Sequence, residues 1–189
     1  MNIPEVAARG TVELAECVSQ VDPSQLNALM EEICSASKVY SCGAGRSLLQ
    51  MRCFAMRLMH LGFTSYVVGD TTTPAFEAGD FLIAASASGA TSGVISIAKK
   101  AKSLGGRVAV LTTRPESELA ELADLVVCVP AQTDKVPSVA GEEGRKTVFP
   151  GGSMFEQSVL IIGDALVVPL AERRGVPLNR MFALHANLE

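Results

Sequence analysis

Residues 81–93 read Phe-Leu-Ile-Ala-Ala-Ser-Ala-Ser-Gly-Ala-Thr-Ser-Gly. Large apolar residues give way to alanine, then to uncharged hydroxyl side chains and glycine. Asp80 to Ala85 reads as a buried strand. Beyond the small residues, Ser92 to Leu104 has helical spacing. Val94, Ile95, Ile97, Ala98 and Ala101 fall inward, and Lys99, Lys100 and Lys102 outward. A strand running through a small-residue loop into an amphipathic helix is the repeating unit of a parallel α/β sheet. Small residues let backbone approach a ligand, and hydroxyls and helix N-terminal N–H groups attract an anion. For this loop alone, a tight turn with a Ser or Thr helix cap explains the same residues, and both readings stay open here.

The same unit recurs on either side. Val39-Tyr40-Ser41-Cys42 is a short strand, followed by Gly43-Ala44-Gly45-Arg46 and then Ser47-Leu48-Leu49-Gln50, which matches a capping box. The helix it opens runs to about His60 and is apolar nearly all round, so it is expected to bury both sides, one of them against another subunit. Thr64–Val68, Arg107–Thr112 and Leu125–Val129 are further strands, and Ser117–Ala123 is a short helix. Upstream, Asp22-Pro23 caps a helix carrying Leu26, Leu29, Met30 and Ile33 on one face. Thr11–Val18 is an earlier helix, bounded by Gly10. Ser153–Arg174 is a long apolar helix followed by a short tail. The fold class is therefore α/β, a five-stranded parallel sheet with helices on both faces. No repeat or linker divides residues 1–189, which read as a single domain. Pro130–Gly152 has no period, and loops that long are usually functional or mobile, which makes this one a lid candidate.

In the flavodoxin-like order 2-1-3-4-5, the chain reverses direction across the sheet between strands one and three. Their loops, SCGAGRS and SASGATS, then lie side by side, each leading into a helix. Ser41, Gly43, Gly45, Arg46, Ser47, Ser86, Ser88, Gly89 and Thr91 are the candidate substrate-binding residues, with Ser86, Ser88 and Thr91 as side-chain donors to a phosphate and Arg46 facing the phosphate or a sugar hydroxyl. A dinucleotide reading of Gly43-Ala44-Gly45 is weaker: Leu48 stands where the third glycine belongs, although Asp70 follows strand two as a ribose-binding acid would.

The composition excludes other classes. A net charge of −4, no Trp and two Tyr leave neither a basic surface nor stacking platforms for nucleic acid. Five cysteines in no C-x-x-C spacing, and two histidines far apart in sequence, argue against a zinc site or disulfide framework and for a reducing cytoplasm. No signal peptide is visible, and the apolar run Val159–Ile162, interrupted soon after by Asp164, is too short to span a bilayer.

Taken together, G-A-G-R-S and S-x-S-G-x-T resemble the loops of the sugar isomerase (SIS) domain family. Phe54–Gly62 (FAMRLMHLG), Tyr66–Pro74 (YVVGDTTTP), Pro150–Gln157 (PGGSMFEQ) and His185–Glu189 (HANLE) resemble its 6-phospho-3-hexuloisomerase branch. Many SIS loops carry a glutamate where Ala90 stands, so a sugar contact from that position is lost. The resemblance implies interconversion of arabino-3-hexulose 6-phosphate and fructose 6-phosphate through a 2,3-enediol, in the ribulose monophosphate route of formaldehyde fixation. It also implies a homotetramer and no metal or organic cofactor. An arabinose 5-phosphate isomerase and a non-catalytic phosphosugar-binding module remain alternatives.

The resemblance places the catalytic glutamate at Glu156, in the first turn of an apolar helix where burial favours the protonated form. Ser153-Met154-Phe155-Glu156 is also a capping box, which would give Glu156 only a structural task. His185 is the second catalytic candidate, brought over the sugar by the tail, from this subunit or a neighbour. A 3-ketose phosphorylated on O6 cannot close a five-membered ring through that oxygen, so His185 is expected mainly to move a proton between O2 and O3. Asp164 is expected to pair with Arg52 or Arg57.

Overall fold

Val39–Gly43 (β1), Ser65–Val67 (β2), Phe81–Ala85 (β3), Arg107–Thr112 (β4) and Leu125–Cys128 (β5) form one parallel sheet in the order β2-β1-β3-β4-β5. The computed structural model describes residues 2–133 and 147–188. Most of the Pro130–Gly152 segment, and with it the lid expectation, lies outside those residues. β3 is central and buried along its whole length, as its unbroken apolar sequence requires. Val39, Phe81, Ile83, Ala85, Ala109 and Leu111 face one core. Tyr40, Leu82, Ala84, Val108 and Val110 face the other, following the period of two.

Helices α1 (Ile3–Ser19), α2 (Pro23–Ser35), α3 (Gly45–His60) and α6 (Ser153–Arg174) contribute to the first core. The second lies under α4 (Ser92–Ser103) and α5 (Glu118–Leu122). Helix α2 starts where expected: the Asp22 carboxylate accepts from the Ser24 N–H at 2.8 Å. Helix α1 is longer than its sequence indicates. It begins at Ile3, capped reciprocally by Asn2 and Glu5, and runs through Gly10. That glycine is fixed by packing, because a Cβ there would lie 2.1 Å from Cζ of Phe149.

Two helix starts differ from expectation. Ser47 does not cap α3; the helix begins at Gly45, whose φ of 56° supplies the turn, and Ser47 sits within its first turn. Ser153 likewise lies inside α6, whose cap position is Gly152. Both capping boxes are absent because a glycine turn enters each helix before the serine is reached. Helix α6, at 22 residues, is long and apolar enough to cross a membrane, despite the interruption at Asp164. It is a core helix instead, with Phe155, Val159, Ile162, Leu166 and Leu170 buried. The Asp164 carboxylate accepts from Arg57 Nε of α3 at 3.4 Å. Beyond α6, a 3-10 helix at Leu178–Leu184 packs on α3.

Candidate active site

Parallel pairing aligns Gly43 with Ala85 at the carboxyl edge of the sheet, so the loops after β1 and β3 lie beside each other, as the strand order requires. Gly43 and Gly89 are there for contact. A Cβ on Gly43 would press on the Leu48 nitrogen at 3.1 Å and the Ala85 oxygen at 3.2 Å. One on Gly89, at φ 60°, would lie 1.9 Å from the Ser117 hydroxyl oxygen. The second loop is pinned from behind. The Ala87 carbonyl accepts from the Thr113 N–H at 3.1 Å and from the Thr112 and Thr113 hydroxyls at 3.1 and 2.8 Å.

What remains at the mouth is a set of donors. Helices α1 and α2 have side-chain caps, but α3, α4 and α6 have none. Their first N–H groups lack intrahelical partners and, with the helix dipole, favour an anion. The cap reading of the two loops therefore fails for Ser47 and Thr91. Thr91 occupies the cap position of α4 but bonds Ser86 instead, hydroxyl to hydroxyl, at 3.0 Å. One of those two protons joins the pair and the other is available outward. The Ser88 hydroxyl accepts from the Ala90 N–H at 3.2 Å. Ser41, on β1, is completely buried, and its hydroxyl has no hydrogen-bond partner among the described residues.

Arg46 is a helical residue of α3, not a loop residue, and it reaches across to α6. Its Nε donates to Glu156 Oε2 at 2.5 Å. The glutamate is 3% exposed, whereas the Arg46 side chain is 59% exposed. A buried carboxylate with a cation on its solvent side is positioned at the start of α6, next to the start of α3. The Ser153 N–H, which a capping box would give to the Glu156 carboxylate, donates instead to the Pro150 carbonyl at 3.2 Å. The acid raised by the dinucleotide reading has another task, since Asp70 pairs with Arg52 at 2.5 Å.

His185 is elsewhere in this chain. Its ring stacks on His60, with centroids 5.4 Å apart. His60 ends α3 and Arg46 lies near its start, a separation of about 21 Å at 1.5 Å per residue. Within one chain the fold therefore unites Gly43, Gly45, Arg46, Ser47 and Glu156, with the Ser86–Thr91 loop alongside, and leaves His185 at the far end of α3. His60 was not singled out in the sequence; a histidine inside an apolar helix signals a buried polar group but not its partner. Among the described residues, no three His, Cys, Asp or Glu side chains cluster as a metal site, and all five cysteines are free thiols. Burial pushes the Cys42 thiol up to about 12, which leaves it inert.

The SIS domain family profile matches residues 32–141. The 3-hexulose-6-phosphate isomerase of Mycobacterium gastri is 44% identical over 179 residues, covering 94% of this chain and 86% of that protein. The enzyme of the same name from Bacillus subtilis (strain 168) is 40% identical over the whole of both chains. A hypothetical protein from Methanococcus jannaschii, whose crystal structure was read as inferring 3-hexulose-6-phosphate isomerase function, superimposes with a TM-score of 0.77 at 33% identity over 98% of each chain. Sheet order, uncapped helix starts at the mouth and full-length similarity agree: the chain belongs to the SIS domain family, as an isomerase in the branch that holds the 3-hexulose-6-phosphate isomerases.

Proposed function

We propose that the protein, as a single SIS unit, interconverts arabino-3-hexulose 6-phosphate and fructose 6-phosphate. The observation that carries this reading is Glu156, buried and paired with Arg46 beside the uncapped starts of α3 and α4. The phosphate takes the N–H groups of those helices with the Ser86, Ser88, Thr91 and Ser41 hydroxyls, and this anchor orients the sugar. The Glu156 carboxylate removes the proton from C2 of the 3-ketose. The electron pair moves into a C2–C3 double bond, and O3 becomes the oxyanion. His185 carries the O2 proton to O3; the C2 carbonyl forms and Glu156 returns its proton to C3. No net proton is gained or lost, and a positioned base is typically worth about 10²–10⁴ in rate. Arg46 holds the carboxylate and meets the oxyanion side of the enediol.

Because His185 stacks on His60, about 21 Å of helix from Arg46 in its own chain, the reading takes it from a neighbouring copy of a homotetramer. Leu49, Met56 and Met59 of α3 and Ile161 and Val168 of α6 are exposed apolar residues on adjacent helices. A two-fold contact that set α3 antiparallel to its mate would bury this ribbon. It would also bring the His60 end of one helix to the Arg46 end of the other. The free thiols fit a reducing cytoplasm, and the substrate pair places the reaction in formaldehyde fixation.

Incubation with fructose 6-phosphate in deuterated water tests the reading. Deuterium at the carbon next to the ketone, with 3-hexulose 6-phosphate as product, is the expected result. Absence of exchange would mean a sugar-binding module, and an aldose product a different phosphosugar isomerase.

A further inference from the structure

His60 is 2% exposed and its Nδ1 has no hydrogen-bond partner among the described residues. As core filling this is a poor choice, because leucine or phenylalanine would occupy the space without burying an unpaired ring nitrogen. What the ring does have is a face. His185 lies on it with centroids 5.4 Å apart and planes inclined by 27°. The 3-10 helix that leads to His185 packs on the same helix, with Met181 buried. Residues 179, 180 and 183–188 are exposed; the His185 Nδ1 lies 3.0 Å from the adjacent Ala186 carbonyl, a contact within the tail itself, whereas the stack on His60 ties the ring to α3.

We propose that His60 is a positioning residue for His185, a buried ring platform that fixes the tail imidazole in the orientation proton transfer needs. The proposal rests on the assignment of His185 as the proton carrier. Pre-set orientation is worth rate because it is not bought again at each turnover. The platform also suits a partner that changes charge. Burial above all, then His185 and Arg57, holds the His60 imidazole below the usual histidine range. The cation that acts on it is Arg57 of α3, itself paired with Asp164 of α6. An uncharged His60 accepts either protonation state of His185. Charging the buried His60 ring would be costly, so the stack rests on the neutral ring and loosens as pH falls through the depressed value of His60.

The test compares His60→Phe with His60→Leu in the full-length protein. Phenylalanine keeps a flat uncharged face; leucine keeps bulk and loses the face. His60→Phe is expected to retain kcat within about twofold, and His60→Leu to lose about tenfold in kcat at unchanged KM. Ring-proton NMR signals of His185 should stay displaced by the stack in wild type and His60→Phe and move to free-imidazole positions in His60→Leu. Wild-type kcat in His60→Leu overturns the proposal, as does a loss in His60→Phe equal to that in His60→Leu. Should His60→Leu fail to fold, His60→Phe decides: loss of its activity or of its displaced His185 signals counts against the platform. His185→Gln separates the two layers. Full activity there removes the proton-carrier assignment and this proposal with it, whereas an inactive His185→Gln beside a fully active His60→Leu removes the platform alone.

Discussion

Ser41 and Glu156 are both buried polar side chains, and they are buried for opposite reasons. Glu156 has its cation, Arg46, at 2.5 Å, whereas the Ser41 hydroxyl has no protein partner among the described residues. An unsatisfied buried hydroxyl costs about 1–3 kcal/mol, and a hydrogen bond to a charged group returns about 1.5–3 kcal/mol. Ser41→Ala is therefore expected to unfold at the same or higher denaturant concentration than wild type while raising KM about tenfold or more. A loss of stability with unchanged KM would make Ser41 a structural residue. Glu156→Gln keeps the shape and removes the base, so kcat should fall about 10²–10⁴-fold with KM little changed. Steady-state kinetics in both directions measures it, and turnover within a factor of two of wild type would remove Glu156 from the chemistry.

At the scale of elements, the entry into α6 depends on α1. Glu13 accepts from the Thr147 hydroxyl at 2.8 Å and the Val148 N–H at 3.0 Å, and Phe149 lies against Gly10. These contacts place the turn that starts the Glu156 helix. Alanine at position 10 would gain about 1 kcal/mol in helix propensity, but its Cβ would fall 2.1 Å from the Phe149 ring. Overpacking of that kind costs about 1–3 kcal/mol. Gly10→Ala should therefore show a lower unfolding midpoint and a reduced kcat together; a stabilised, fully active variant would separate α1 from the site. Burial pushes the Glu13 carboxyl up, but the bonds from Val148, Thr147 and Arg9 outweigh it and hold the group below its ordinary value. A carboxylate depressed in the fold adds stability that is complete above the unfolded value of about 4.3 and is lost as pH falls through the folded one. Acid unfolding of Glu13→Gln should consequently be less steep than that of wild type below about pH 4.3. Identical acid limbs would rule the anchor out as a titrating element.

For the whole molecule, the decisive quantity is the distance between the two ends of α3. If each site takes Glu156 from one copy and His185 from another, two inactive variants complement each other. Glu156→Gln and His185→Gln, unfolded together and refolded as a mixture, should recover about a quarter of wild-type activity. Half the interfaces would be mixed, and each of those would hold one intact site of two. No recovery from well-folded mixed oligomers would mean that the sites are not shared.

The sheet was readable from one chain of residues because it depends on local periodicity. Buried β-branched runs, small-residue loops and amphipathic helices alternate, and that alternation leaves few topologies. The parallel sheet and the positions of Arg46 and Glu156 near helix starts followed from it; the strand order and its switch point came from likeness to the flavodoxin-like order and agree with the structure. The starts themselves did not, since Ser47 and Ser153 match capping boxes that glycine turns pre-empt. Gly10 marked a break in the sequence and proved to be a contact, because its reason, Phe149, lies far along the chain. The pairing of Arg46 with Glu156 and the stacking of His60 on His185 bring together residues more than a hundred positions apart. Such contacts are set by how helices pack across the sheet, a property of the whole tertiary arrangement that no local pattern encodes.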